Sequence, residues 1–238
     1  MDNNLIRINK FVAMHSDIAR RKVDEYILQG RITINGISIS QPGFKIDPQK
    51  DKVSIDGEPI KISTKKIYII LNKPINIISS VSDEKRRKTV VDIINIKERI
   101  FPIGRLDFDT TGLILLTNDG DFANKLMHPK FKVDKTYLIE ISRPLEERHK
   151  IKLMNGIKIE GRRTSPCKIE FPRKNDFTYV SITLHEGRNR QVKNMFEHYG
   201  YFVRSLNRSE YGTLKLTGLK PGEWRYLTAK EIESLITD

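Results

Sequence analysis

Strand-sized apolar runs joined by short turns, with no regular alternation of strand and helix, limit most strongly what this chain can fold into. Beyond residue 66 such runs fall at 67–71, 113–117, 135–141, 166–171, 178–184 and 202–206. Helical patterns at 89–94, 121–127, 145–155, 189–199 and 229–236 break in without the steady rhythm of a parallel α/β sheet. The fold class that follows is α+β, with a mixed, mostly antiparallel sheet flanked by helices. Thr228 and Glu231 form a capping box for the last helix.

The first 62 residues follow a different pattern. A short helix is expected over 8–14. Ser16 is placed to cap a second helix that runs to Gln29, with Ala19, Val23, Tyr26 and Ile27 on one face and Gly30 as its stop. Asn35-Gly36 then separates two alternating segments, a strong hairpin signal. A second pair of strands is expected around Asp56-Gly57. Residues 61–66 are polar and basic and read as a linker, which divides the chain into a module at 1–62 and a domain at 63–238.

Charge narrows the partners. Lysine and arginine number 43 against 30 acids, a formal net charge of +13. Such a field gathers polyanions, nucleic acid first and an anionic membrane surface second. A generally lysine-rich proteome is the plainer source. Cys167 is the single cysteine, so no internal disulfide and no cysteine-based zinc site can form. With no secretory leader pattern at the N-terminus and no apolar run longer than 67–71, a soluble, cytoplasmic protein is expected.

Two helix starts carry cations where the macrodipole disfavours them: Arg20, Arg21 and Lys22 in one, and Arg188, Arg190 and Lys193 in the other. Cations beside free amide donors suit a phosphate. A solvated basic face is the alternative, and composition leaves both open.

The densest polar constellation is Gly104-Arg105-Leu106-Asp107-Phe108-Asp109-Thr110-Thr111-Gly112, a glycine-bounded loop running into the apolar strand 113–117. In an extended stretch Arg105 and Asp107 leave the same face and can pair, either as a structural salt bridge or as a poised carboxylate. Asp107, Asp109, Asp119 and Asp121 also raise the possibility of a Mg²⁺ site. Against it, Asp119 fits a turn and Asp121 fits a helix N-cap. Tyr137 opens a strand, where it serves the core or stacks on an extruded base. The five histidines show no ligand spacing, and no Walker or dinucleotide glycine pattern is present, so no cofactor is expected.

The module residues Arg7-Ile8-Asn9-Lys10-Phe11, Ala19-Arg20-Arg21-Lys22 and Gly30-Arg31-Ile32-Thr33-Ile34-Asn35-Gly36 resemble the S4 RNA-binding domain. Gly104-Arg105-Leu106-Asp107 with 111–120, Lys135-Thr136-Tyr137, and Glu186-Gly187-Arg188-Asn189-Arg190-Gln191-Val192 resemble, in order, three motifs of the RsuA/RluB branch of the ribosomal RNA pseudouridine synthases. The ending 219–228 is similar to that branch too. That ending and the loop 161–167 resemble its large-subunit RluB type more than its small-subunit type.

The resemblance implies that Asp107 is the catalytic carboxylate and Arg105 its neighbouring support. Tyr137 would pack on the target base, Lys193 would pair with the aspartate, and Leu227 would line the uracil pocket. Arg7, Lys10, Arg20, Arg21, Lys22 and Arg31, with Arg188, Asn189, Arg190 and Gln191, would contact RNA. The partner implied is ribosomal RNA, as a structured stem-loop or a pre-ribosomal particle, met by a monomer. Two readings from other classes stand against this one: an S4-type ribosome-binding factor without catalysis, and a metal-dependent nuclease.

Overall fold

The computed structural model describes residues 5–62 and 65–236. The chain forms two compact units, Met1–Lys66 and Ile67–Asp238. Of the linker expected at 61–66, Ser63 and Thr64 lie outside the described residues.

The first unit runs β1 (Ile6–Arg7), α1 (Ile8–His15), α2 (Arg20–Leu28), β2 (Ile32–Ile34), β3 (Ile37–Ser38), β4 (Lys45–Ile46), β5 (Val53–Ile55) and β6 (Glu58–Pro59). Strands β3-β2-β5-β6 form one sheet, and β1 pairs with β4. Both hairpin turns place two residues at positive φ, Asn35 and Gly36 in one, Asp56 and Gly57 in the other. Those conformations match the twist of the strands they join. Ile8, Phe11, Val12, Val23, Ile27, Ile32 and Val53 pack as a core of their own.

Ser16 departs from its expected place. Its hydroxyl donates to the Val12 carbonyl at 2.8 Å and accepts from Ile18 N–H at 3.3 Å. It thus closes α1 and the following turn. Helix α2 starts later, at Arg20, with Ala19 as a cap that makes no side-chain bond.

The second unit contains β7 (Tyr68–Lys73), α3 (Val90–Ile94), β8 (Phe101–Ile103), β9 (Thr111–Thr117), α4 (Gly120–Met127), β10 (Lys135–Ile141) and α5 (Glu147–Met154). A small hairpin follows, β11 (Lys158–Ile159) and β12 (Arg162–Arg163), then β13 (Lys168–Glu170), β14 (Tyr179–Leu184) and α6 (Gln191–Glu197). The chain ends with β15 (Val203–Tyr211), β16 (Leu214–Lys215), β17 (Trp224–Tyr226) and α7 (Ala229–Ser234).

The main sheet has the order β13-β14-β10-β15-β9-β7-β17, with β8 added to β9 and β16 to β15. Its pairs are antiparallel except β9 with β15, which run parallel through Thr111–Asn207 and Gly112–Arg208. Alternate residues of β7 and β9 enter two separate apolar clusters: Ile69, Leu71, Ile114 and Leu116 in one, Ile70, Leu113 and Leu115 in the other. These are the two faces of the sheet.

The cap of α4 is Asp119 and not Asp121. The Asp119 carboxylate accepts from the backbone N–H of Asp121 and Phe122 and from the Tyr68 hydroxyl. The chain turns two residues earlier than sequence spacing suggests because Thr117 Oγ1 already holds Asp119 N–H at 2.9 Å. The capping box of Thr228 and Glu231 is formed in α7.

Candidate active site

The loop from Gly104 to Thr110 joins β8 to β9 and is fixed through its backbone. Ser79 Oγ donates to the Leu106 carbonyl at 2.8 Å and accepts Leu106 N–H at 3.1 Å. Asn76 N–H reaches the Phe108 carbonyl. Thr110 N–H turns back to the Asp107 carbonyl at 3.1 Å. Beneath these lies Lys73, at the end of β7 and fully buried. Its ammonium donates to the carbonyls of Thr110 (2.7 Å), Pro74 (3.1 Å) and Phe108 (3.5 Å). Burial pushes Lys73 down to about 8, against the pull of Asp109 and Asp107.

With its backbone held this way, the loop presents Asp107 to a small open cleft of about 70 Å³. Leu106, Leu184, Val192 and Leu206 form apolar wall, and Tyr137 of β10 and Thr110 face the same space. Lys193, on α6 and almost wholly buried, lies 3.7 Å from Asp107 Oδ2 and 2.5 Å from Asp109 Oδ1. It holds the Asp109 carboxyl below its ordinary range, chiefly through that hydrogen bond. One ammonium thus serves two carboxylates.

Arg105 does not pair with Asp107. It is exposed at the rim of the cleft. Leu227 does not line this cleft. It packs with Ile70, Ile103 and Phe122 on the other face of the sheet, where β17 and the residue after it run along β7. Leu184 and Val192, flanking the Glu186–Gln191 motif, supply the apolar wall instead.

Two of the residues expected to contact RNA turn inward. Gln191 is buried, taking Arg188 N–H at 3.0 Å and donating to Glu186. The Arg188 guanidinium donates to the carbonyls of Arg162 and Arg163 and pairs with Glu186 at 3.2 Å. This closed network locks the start of α6 to the β11–β12 hairpin. Asn189 and Arg190 remain exposed. In the first unit Arg7, Arg20, Arg21 and Lys22 are exposed, and Lys10 is half-buried. Arg31 is held by both oxygens of Asp56 and lies 3.7 Å over the Tyr26 ring.

Among the described residues no three histidine, cysteine or carboxylate side chains converge as a metal site. The four aspartates that could have formed one are dispersed: Asp119 caps α4, and Asp109 is tied to Lys193. Sequence reasoning misses Lys73, Ser79 and Thr110. A lysine before proline at the end of an apolar strand is the one available signal for the first.

A carboxylate at the mouth of a half-apolar cleft, beside an aromatic ring and a buried ammonium, fits chemistry on an extruded base. The profile of the family described as RNA pseudouridylate synthase matches residues 67–198, and that of the S4 domain matches residues 6–51. The chain is 42% identical to the ribosomal large subunit pseudouridine synthase B of Bacillus subtilis, over 96% of this chain and 95% of that one. It is 37% identical to the dual-specificity RNA pseudouridine synthase RluF of Escherichia coli, over 99% of this chain and 80% of the relative. A crystal structure of a pseudouridylate synthase superposes with a TM-score of 0.71 at 32% identity, over 97% of this chain and all of the other. The chain belongs to the RNA pseudouridylate synthase family. It is an isomerase that converts uridine to pseudouridine, with an S4 domain at its N-terminal end.

Proposed function

We propose that this enzyme modifies a uridine of large-subunit ribosomal RNA and that Asp107 is its catalytic carboxylate. The observation that carries the reading is the placement of Asp107: in the cleft with Tyr137, on a loop fixed by Lys73 and Ser79, 3.7 Å from the buried Lys193 ammonium. The large-subunit target is supported by the relative from Bacillus subtilis, whose name carries it.

The reaction needs few groups. The N1–C1′ bond breaks, the base turns, and C5 bonds to C1′. The proton on C5 is lost and N1 gains one, so substrate and product are isomers and the balance closes without a redox carrier or energy source. An ionised carboxylate acts on the sugar, as a nucleophile at C1′ or as a base that removes a sugar proton. The Lys193 ammonium stands 3.7 Å from that carboxylate and helps to aim it. Tyr137 and the apolar wall receive the flipped base, whose extrusion costs a few kcal/mol, on the order given for such steps. Exposed cations of the 1–62 unit, which we take as an RNA-binding domain, and Arg105 and Arg190 at the cleft supply phosphate contacts that offset it.

The test is Asp107→Asn beside Asp109→Asn. The first keeps shape and removes charge; tritium release from 5-tritiated uridine RNA should vanish while RNA affinity is nearly kept. Asp109→Asn should retain activity, with Lys193 still near Asp107. Substantial turnover by Asp107→Asn removes the assignment. Mapping pseudouridines by carbodiimide and primer extension in a deletion strain tests the target, and a pseudouridine missing from small-subunit RNA overturns it.

A further inference from the structure

Several polar groups around the cleft are spoken for. Glu186, Arg188 and Gln191 close a network among themselves, with Ser165 N–H bonded to Glu186 as well. Arg190 lies 3.8 Å from Glu197. The hydroxyl of Thr110 is different. Thr110 is 2% exposed and lines the cleft, and its Oγ1 has no hydrogen-bond partner among the described residues. The rest of the residue is fully engaged, with N–H on the Asp107 carbonyl and C=O under the Lys73 ammonium. The backbone therefore has little freedom to carry the hydroxyl elsewhere.

A buried hydroxyl left without a partner costs a folded protein stability. A valine would fill the same volume without that cost. The residue lines the cleft three positions from Asp107, and its oxygen, closed to solvent in the unliganded chain, needs only a rotation about the Cα–Cβ bond to reach a base held there.

We propose that Thr110 is a base-positioning residue, whose hydroxyl hydrogen-bonds the imide edge of the extruded uracil. This deepens the functional reading above and rests on it for the location of the base. The chemistry of the base explains why a hydroxyl suits the task. When detached uracil turns about its N3–C6 axis, N1 exchanges with C5 and O2 with O4, but N3–H stays in place. A group that meets this edge must serve the base before and after the turn. A hydroxyl both accepts and donates, so it holds N3–H, or whichever carbonyl stands beside it, in either orientation.

The experiment compares Thr110→Val, Thr110→Ser and Thr110→Ala with the unaltered chain, using a uridine-containing RNA substrate. For Thr110→Val, Tm should be unchanged or higher and RNA Kd unchanged, because affinity comes from phosphate contacts. Turnover at saturating RNA should fall about three- to tenfold, the worth of one neutral hydrogen bond. Thr110→Ser should restore most of that turnover, and Thr110→Ala should lose it. Wild-type turnover in Thr110→Val, or equal loss in Thr110→Ser, overturns the proposal. So does a drop of several degrees in Tm for Thr110→Val, which marks a structural hydroxyl. Asp107→Asn run in parallel separates the two readings. An inactive Asp107→Asn with a fully active Thr110→Val rejects the hydroxyl alone. An active Asp107→Asn rejects the carboxylate assignment whatever Thr110 does.

Discussion

Lys73 shows how one residue can fix a loop and leave a mark on stability. Its ammonium is buried against three carbonyls, and burial lowers it to about 8. Lys135, which donates to the carbonyls of Val133 and His185, is lowered to about 8 as well, first by burial and then by Arg208. In the unfolded chain both stay protonated to near 10.5. From pH 8 to 10.5 the unfolded state therefore binds more protons, and stability should rise with pH. Cys167 opposes this above its ordinary value of 9.0, because burial raises its thiol to about 12. The clean window is pH 8 to 9, where each lysine should add about 1 kcal/mol. Urea denaturation at the two ends measures the rise, and Lys135→Met should halve it. A flat profile would mean that both ammonium groups are better solvated than their burial implies. Only the Lys73-Pro74 step at the end of an apolar strand hints in the sequence at a charged core residue. A lysine at the end of a strand normally reaches water, and here the loop from Asp107 to Thr110 folds over it.

At the scale of elements, the parallel pairing of β9 with β15 is the most exacting joint in the sheet. Gly112 sits there at φ +105°, and a Cβ on it would stand 2.4 Å from the Arg208 carbonyl oxygen and 2.6 Å from its nitrogen. Neither backbone atom can yield without parting the strands. Gly112→Ala combines that clash with a conformation that side chains avoid, and should lower unfolding free energy by about 3 kcal/mol. Denaturant titration checks this, and turnover should fall too, because Thr110 and Asp107 hang from the start of β9. Strands with alternating apolar residues are legible in the sequence: 135–141 coincides with β10, and 178–184 differs from β14 by one residue. The apolar pattern of β15 stops at 206, because Asn207-Arg208-Ser209-Glu210 look like surface. In the fold Asn207 donates to Thr111 Oγ1 and Arg208 to the Leu113 carbonyl, so the polar stretch still pairs. Pairing partners and the single parallel joint leave no periodic trace at all. The same limit explains Leu227, whose motif position is readable while the face of the sheet it joins is not.

On the scale of the whole molecule, each unit has its own apolar core, and the constellation around Asp107 lies entirely within the second. Removing residues 1–62 should therefore leave a folded domain that still accepts a flipped uridine. What goes with the first unit is charge: Arg7, Lys10, Arg20, Arg21, Lys22 and Arg31. For every phosphate that the truncated chain no longer neutralises, the slope of log affinity against log salt should fall by somewhat under about one unit. Arg31, already answered by Asp56, and Lys22, paired with Glu25 at 2.6 Å, should contribute least. Arg20 and Arg21, at the start of α2 beside amides that no side chain caps, should contribute most. The truncated enzyme should thus bind long ribosomal RNA more weakly, with a shallower salt dependence and poorer choice among uridines. Turnover at saturating RNA should fall much less, since the groups around Asp107 all remain. Filter binding of both chains across a salt series, with turnover at saturation, decides the matter. Equal affinity and equal salt slope would show that the basic face of the first unit is only a solvated surface, and that the second unit alone grips the RNA.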